Sequence, residues 1–170
     1  MGYDKERLER WSEDECWGDY LIRKQALDGS HERFKACEEK YFNVLTKRIT
    51  ICENILKRNE DAFINYTLAR LHDKDDVDRS PETLYKRKVI HHCNEALKLD
   101  PQFVPALILI SKCYEWLATI GGNNTIQYAP IPAIEKAIAC IKRAAAIDPL
   151  KEKYQEMLKG YYHRRNEEYR

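Results

Sequence analysis

Charge of one sign, long apolar runs and paired cysteines are all missing from this sequence, and each absence removes a class of function. Its 170 residues carry 29 basic and 28 acidic side chains, a formal net charge of +1. So even a balance gives no long-range field that would gather nucleic acid or an anionic membrane. No apolar stretch approaches the roughly 20 residues of a membrane span, so no membrane partner is expected. The opening residues, MGYDKERLERW, are too polar for a secretory leader, and we expect a cytoplasmic protein whose thiols stay reduced. Cys16, Cys37, Cys52, Cys93, Cys113 and Cys140 include no C-x-x-C pair. A zinc ribbon or thioredoxin-like centre therefore lacks its local chelate or redox couple, and the cysteines read as small core residues.

Catalytic signatures are absent as well. There is no G-x-S-x-G, no phosphate-cradling glycine loop and no H-E-x-x-H, so neither an enzyme nor a cofactor is expected. Sustained strand-like alternation is also missing. What is present is helical spacing nearly throughout. The chain is long enough to bury about 68–70% of its unfolded surface as one domain without metal or disulfide.

Residues 1–30 read as one helix or two short ones. From there Phe34, Cys37, Tyr41, Leu45, Arg48, Cys52 and Ile55 step by three and four, with Ile49 and Leu56 widening the stripe, which predicts a long amphipathic helix over 31–57. Further helices are expected at 60–72, 81–99, 103–119, 132–147 and 150–168. Ser80-Pro81-Glu82 marks the clearest start: a cap, a residue suited to the first turn, and an acid at the positive end of the helix dipole. The acidic stretch DKDDVDR and the insert GGNNTIQYAPIP, over 121–132, read as turns between helices.

Two short stretches nearly repeat: EALKLDP at 95–101 and RAAAIDP at 143–149. At an offset of 48 residues Ala96 meets Ala144, Leu99 meets Ile147, Asp100 meets Asp148 and Pro101 meets Pro149. In each, the residue before proline is pushed out of the helical region, so the helix stops there. Ala137 and Ala144 lie two turns apart on one face, and side chains that small let neighbouring helices approach closely.

Together with Tyr114 late in one helix, these landmarks resemble the tetratricopeptide repeat family, whose unit of about 34 residues is an antiparallel helix pair. The excess of about 14 residues falls in the 121–132 insert, between the two helices of a pair, where insertions are tolerated. A weaker upstream copy aligns Asn59 with Pro101. Departures from the family pattern are Val89, Ser111 and the missing upstream proline. The resemblance implies an all-α stack of antiparallel helix hairpins, with a long N-terminal helix and a charged C-terminal capping helix. In domain terms, 1–30 is an N-terminal helical segment and 31–170 the repeat-like domain, one domain overall.

The resemblance further implies that the first helix of each pair lines a concave groove for a peptide or partner helix. Carried over residue by residue, this puts Phe63, Tyr66, Thr67 and Arg70 on the groove from one pair. The next pair supplies Ile108, Leu109, Lys112, Glu115 and Trp116, and the cap adds Lys153 and Met157. The mix is aromatic, aliphatic and basic, and aromatics and arginine with apolar neighbours are what binding hot spots tend to use. Tyr66 and Ile108 stand where the carboxylate-gripping subgroup of the family carries lysine or amide side chains, which departs from that mode. The expected function is a protein-interaction module, an adaptor or co-chaperone-like protein, with a protein or peptide as partner.

Two other readings stay open. In one, the groove is filled internally, by the long helix or by Trp11, Trp17 and Tyr20, and the protein is a structural subunit that self-associates as a homo-oligomer. In the other, YKRK at 85–88 with His91 and His92 touches RNA phosphates, although a helical charge run is more often a solvated face. His91, His92 and Cys93 look metal-like, yet adjacent helical residues point about 100° apart and cannot chelate one ion together, so no metal is expected. Cys93 reads as core and the histidines as surface. DKDDVDRS lacks the glycine and distal glutamate of a calcium loop.

Overall fold

A computed structural model describes residues 31–75, 82–121 and 130–167, with side-chain surroundings for most of them. Six helices account for nearly all of it: α1 (His31–Leu56), α2 (Ala62–Asp75), α3 (Glu82–Leu99), α4 (Val104–Gly121), α5 (Pro130–Ile147) and α6 (Glu152–Glu167). The chain is all-helical among the described residues, and none of these helices is long and apolar enough to cross a membrane. The segment expected at 1–30, the Ser80-Pro81 cap and most of the 121–132 insert lie outside the described residues.

Local chemistry sets the ends. α3 closes with the Asp100 N–H donating to the Ala96 carbonyl at 2.9 Å, just before Pro101. The chain then turns with Phe103 N–H on the Asp100 carbonyl (3.1 Å) and Ala106 N–H on the Phe103 carbonyl (3.1 Å). Every one of these bonds recurs 48 residues later. Asp148 donates to Ala144 (3.0 Å), Lys151 to Asp148 (3.4 Å) and Tyr154 to Lys151 (3.0 Å). The sequence repeat is thus a repeated corner.

The corner between α1 and α2 is built otherwise. Without an Asp-Pro, α1 winds on through Lys57 N–H to Glu53 and Asn59 N–H to Ile55. Asp61 then caps α2, its carboxylate accepting the Ile64 N–H at 3.0 Å, so α2 starts at Ala62 rather than residue 60. α2 also continues through Asp75, three residues into the stretch read as a turn, where Asp73 receives the Lys86 ammonium at 2.7 Å. α5 begins at Pro130, earlier than the expected 132. Both Pro130 and Pro132 fit there because first-turn N–H groups have no intrahelical acceptor to lose.

Each helix packs on the next, most closely α4 on α5 and α2 on α3. α2 and α3 run oppositely, with Asp73 of α2 meeting Lys86 of α3 while Asn65 and Glu95 line one cavity at the other end. α4 and α5 do likewise, with Lys136 over the Tyr114 ring at 5.3 Å and Arg143 donating to the Pro101 carbonyl at 3.2 Å. α5 and α6 are tied by Arg165 to Glu135 (3.0 Å) and by Lys142 over Tyr162. α4 and α6 run the same way: Ser111 meets Tyr161, and one turn on Glu115 meets Arg164.

The core has two parts. The larger spans α2 to α6 and is built around fully buried alanines (Ala69, Ala96, Ala106, Ala118, Ala137, Ala144) with Leu107, Leu117, Ile134 and Ile141 filling the space between them. Each such branched side chain removed from water stabilises the fold by about 1.5–3 kcal/mol. The smaller part joins α1 to α2 through Phe42, Leu45, Cys52, Ile64, Leu68 and Leu71. Within it the α1 stripe runs Phe42, Leu45, Ile49, Cys52, Ile55 and Leu56, and Arg48 on the same helix is half-buried. Cys93 and Cys113 are buried in the larger part and Cys52 in the smaller, and Cys140 is half-buried. Burial pushes the Cys52 thiol up to about 11, with Glu53 adding to it, so it resists ionisation at neutral pH.

Candidate partner-binding face

The sequence-derived groove residues all lie on α2, α4 and α6, and the structure treats them unequally. Thr67 is buried, its hydroxyl donating to the Phe63 carbonyl at 2.9 Å, a bond that satisfies it inside the helix and leaves nothing for a partner. Phe63 is half-buried against the α1–α2 core rather than standing clear. Tyr66 packs edge-on to Phe103, ring centroids 5.3 Å apart, and engages half-buried Arg70. Burial raises the Tyr66 phenol, Arg70 opposing, so it stays neutral.

On α4, Ile108, Leu109 and Trp116 are half-buried along the outside of the larger core, and Lys112 is exposed beside them. The apolar run ALILI at 106–110 is thus buried on one side and half-covered on the other. Trp116 is held by Lys86, whose ammonium sits 5.5 Å from the ring centroid while bonding Asp73. One lysine thereby joins the end of α2, the start of α3 and the last turns of α4. Its side chain is only 14% exposed, so this contact is shielded from bulk water better than an ordinary surface pair.

Glu115 faces α6. It receives Arg164 at 2.6 Å and the Tyr161 hydroxyl at 3.2 Å. Behind it, fully buried Ser111 donates to the Ile108 carbonyl (2.8 Å) and lies 3.4 Å from the same hydroxyl. Burial, with the negative Glu115 nearby, pushes the Tyr161 phenol up to about 12. Met157 packs half-buried against the core and Lys153 is exposed, both on α6. Glu115 is therefore committed within the molecule, and α4 and α6 are locked side by side.

Of the candidate face residues, Trp116, Ile108 and Leu109 are apolar and half-buried, and Lys112 and Lys153 are exposed and charged. Such a face offers contact area and cations. No group of three His, Cys, Asp or Glu side chains is placed to hold a metal ion among the described residues. One cavity of about 210 Å³ lies elsewhere, between Leu56, Glu60 and Asn65 on one side and Glu95, Lys98 and Leu99 on the other.

Sequence reasoning missed Lys86 and Tyr161 as organisers of the face. Lys86 looked like part of a basic run, and only the fold brings it to Asp73 and Trp116. The signal for Tyr161 was the small Ser111, which marks where a neighbour comes close without saying which. Searches for relatives add nothing to this geometry: no family model matches the chain, and no significant match to a curated protein was found.

Proposed function

We propose that this protein is a non-enzymatic, protein-interaction module that receives a peptide or a partner helix along the outer face of α2, α4 and α6. The observation that carries the reading is the recurrence of three backbone hydrogen bonds of the Asp-Pro corner after 48 residues, together with α4 and α6 lying side by side in one direction. That arrangement supports a tetratricopeptide-like stack of helix hairpins, in which successive first helices form one continuous face. Trp116 is the anchor of this face, Lys112 and Lys153 its selective charge, and Arg70 the contribution of α2. The protein works as a cytoplasmic adaptor, contributing contact surface rather than chemistry.

A second reading, self-association, is favoured by one observation: Leu99, Ile147 and Leu150 are all exposed near the ends of α3 and α5, Leu150 at 91%. The RNA reading loses ground because Lys86, one of its three basic residues, is occupied by Asp73 and Trp116. The test pairs affinity capture with light scattering on wild type and on Trp116→Ala, Lys112→Glu and Arg70→Glu. Partners captured by wild type should be lost from Trp116→Ala and weakened in the two charge reversals, the chain remaining a monomer. If all three variants keep every partner, the face is not the binding site. A dimer abolished by Leu150→Glu favours self-association instead.

A further inference from the structure

Two imidazoles are stacked between α2 and α3 with nothing to accept a second proton. His72, in the last turn of α2, is 5% exposed, and half-buried His92 of α3 lies with its ring centroid 5.4 Å away and its plane within 10°. His91 meets His92 edge-on at 5.0 Å. In both His72 and His92 the Nδ1 atom is buried and has no hydrogen-bond partner. The expectation that His91 and His92 are both surface residues thus holds for His91 alone.

A neutral imidazole fits this site by keeping its proton on Nε2 and leaving Nδ1 as a bare acceptor. An imidazolium does not fit. Its added proton would sit on a buried nitrogen with no acceptor, and two such rings would place like charges face to face. We propose that His72 and His92 form an acid-sensitive joint between α2 and α3, stacked while both rings are neutral and driven apart when they are protonated.

The surroundings agree. Burial is the largest influence on each ring and lowers both to about 4 from an ordinary 6.5. Each ring also feels its neighbours: His92 and Lys88 act on His72, while His91 and Lys88 act on His92 in the same direction and Glu95 opposes them. On α2 itself, Asp73 beside His72 is taken by Lys86. Neither α1, packed on α2, nor α4, packed on α3, enters this balance among the described residues.

The sign follows from linkage. Below about pH 6.5 the unfolded chain takes protons at these rings while the folded chain does not, so acid favours opening until the pH reaches about 4. The contribution is fully present above 6.5 and lost on the way down. Between pH 7.5 and 5 it amounts to a fall on the order of thirtyfold in the folding equilibrium constant per histidine. The joint stands independently of the proposed function. Its consequence for binding rests on that function, because α2 carries Tyr66 and Arg70 and α3 carries the lysine that holds Trp116.

Ring-proton titration of the full wild-type chain by NMR should find His72 and His92 neutral down to below pH 5. Denaturant unfolding at pH 7.5 and 5 should then show a steep acid loss in wild type that is mostly abolished in the stacking-competent double variant His72→Phe/His92→Phe. Carboxylate titrations common to both chains cancel in that comparison. Rings that titrate near pH 6.5, or a double variant whose stability falls in parallel with wild type, would overturn the joint. If the double variant does not fold, the wild-type ring titration decides alone, and neither outcome depends on a binding partner.

Discussion

A single small side chain governs how near α6 comes to α4. Ser111 is fully buried at their contact, its hydroxyl bonded within its own helix and set against the Tyr161 hydroxyl. A larger residue has nowhere to go, because Glu115 and Arg164 close the contact one turn along. Ser111→Leu is therefore expected to destabilise the fold by about 1–3 kcal/mol through overpacking. Ser111→Ala removes only the hydroxyl and should cost about 0.5–1.5 kcal/mol. Urea unfolding of the two variants against wild type checks the order. The same reasoning applies at Ala96, Ala137 and Ala144, where nothing beyond a methyl group separates helices. Small residues at helical spacing were the most informative residues in the sequence, since their only use in a helix interior is to let something approach. The pairing of His72 with His92 was not legible that way: twenty positions separate them, and no local pattern says that two helices will bring those rings together.

At the scale of elements, the corners carry the information. The helices lie where the three-and-four spacing of apolar residues puts them, and the Asp-Pro stops end α3 and α5 at Leu99 and Ile147. Where the sequence misled, the cause was a partner outside the local window. The aspartates after Leu71 look like a solvated turn, yet α2 persists through Asp75 because Lys86, on the next helix, neutralises Asp73. α2 starts two residues later than the expected 60 because Asp61, rather than a residue before it, is the cap. Asp61→Ala leaves the Ile64 N–H without its acceptor and should lower stability by about 1 kcal/mol, whereas Asp61→Asn should restore most of it, as thermal unfolding would register. The proline insert shows the opposite effect. Pro130 and Pro132 signal a break by composition, but α5 takes them into its first turn, where proline costs no hydrogen bond.

For the whole molecule, two apolar clusters share α2: Ile64, Leu68 and Leu71 face α1, while Ala69 faces the helices that follow. This two-sided burial makes α2 the link between the long helix and the helices that follow. The candidate face follows from the same layout. Thr67 and Glu115 were assigned to it by analogy with helices whose outer sides are open, but α2 turns Thr67 inward and α6 claims Glu115. Trp116 is half-buried, and Lys112 and Lys153 are exposed. The account depends on α4 and α6 being neighbours in the same direction, since that turns two separate helix pairs into one surface. Nuclear Overhauser spectroscopy on the folded chain tests it most directly. The account predicts cross-peaks between the Tyr161 ring protons and the Ser111 β-protons, with Arg164 near Glu115 one turn on. Assigned Tyr161 resonances that show no contact with α4, or contacts ordered in the opposite direction, would contradict it.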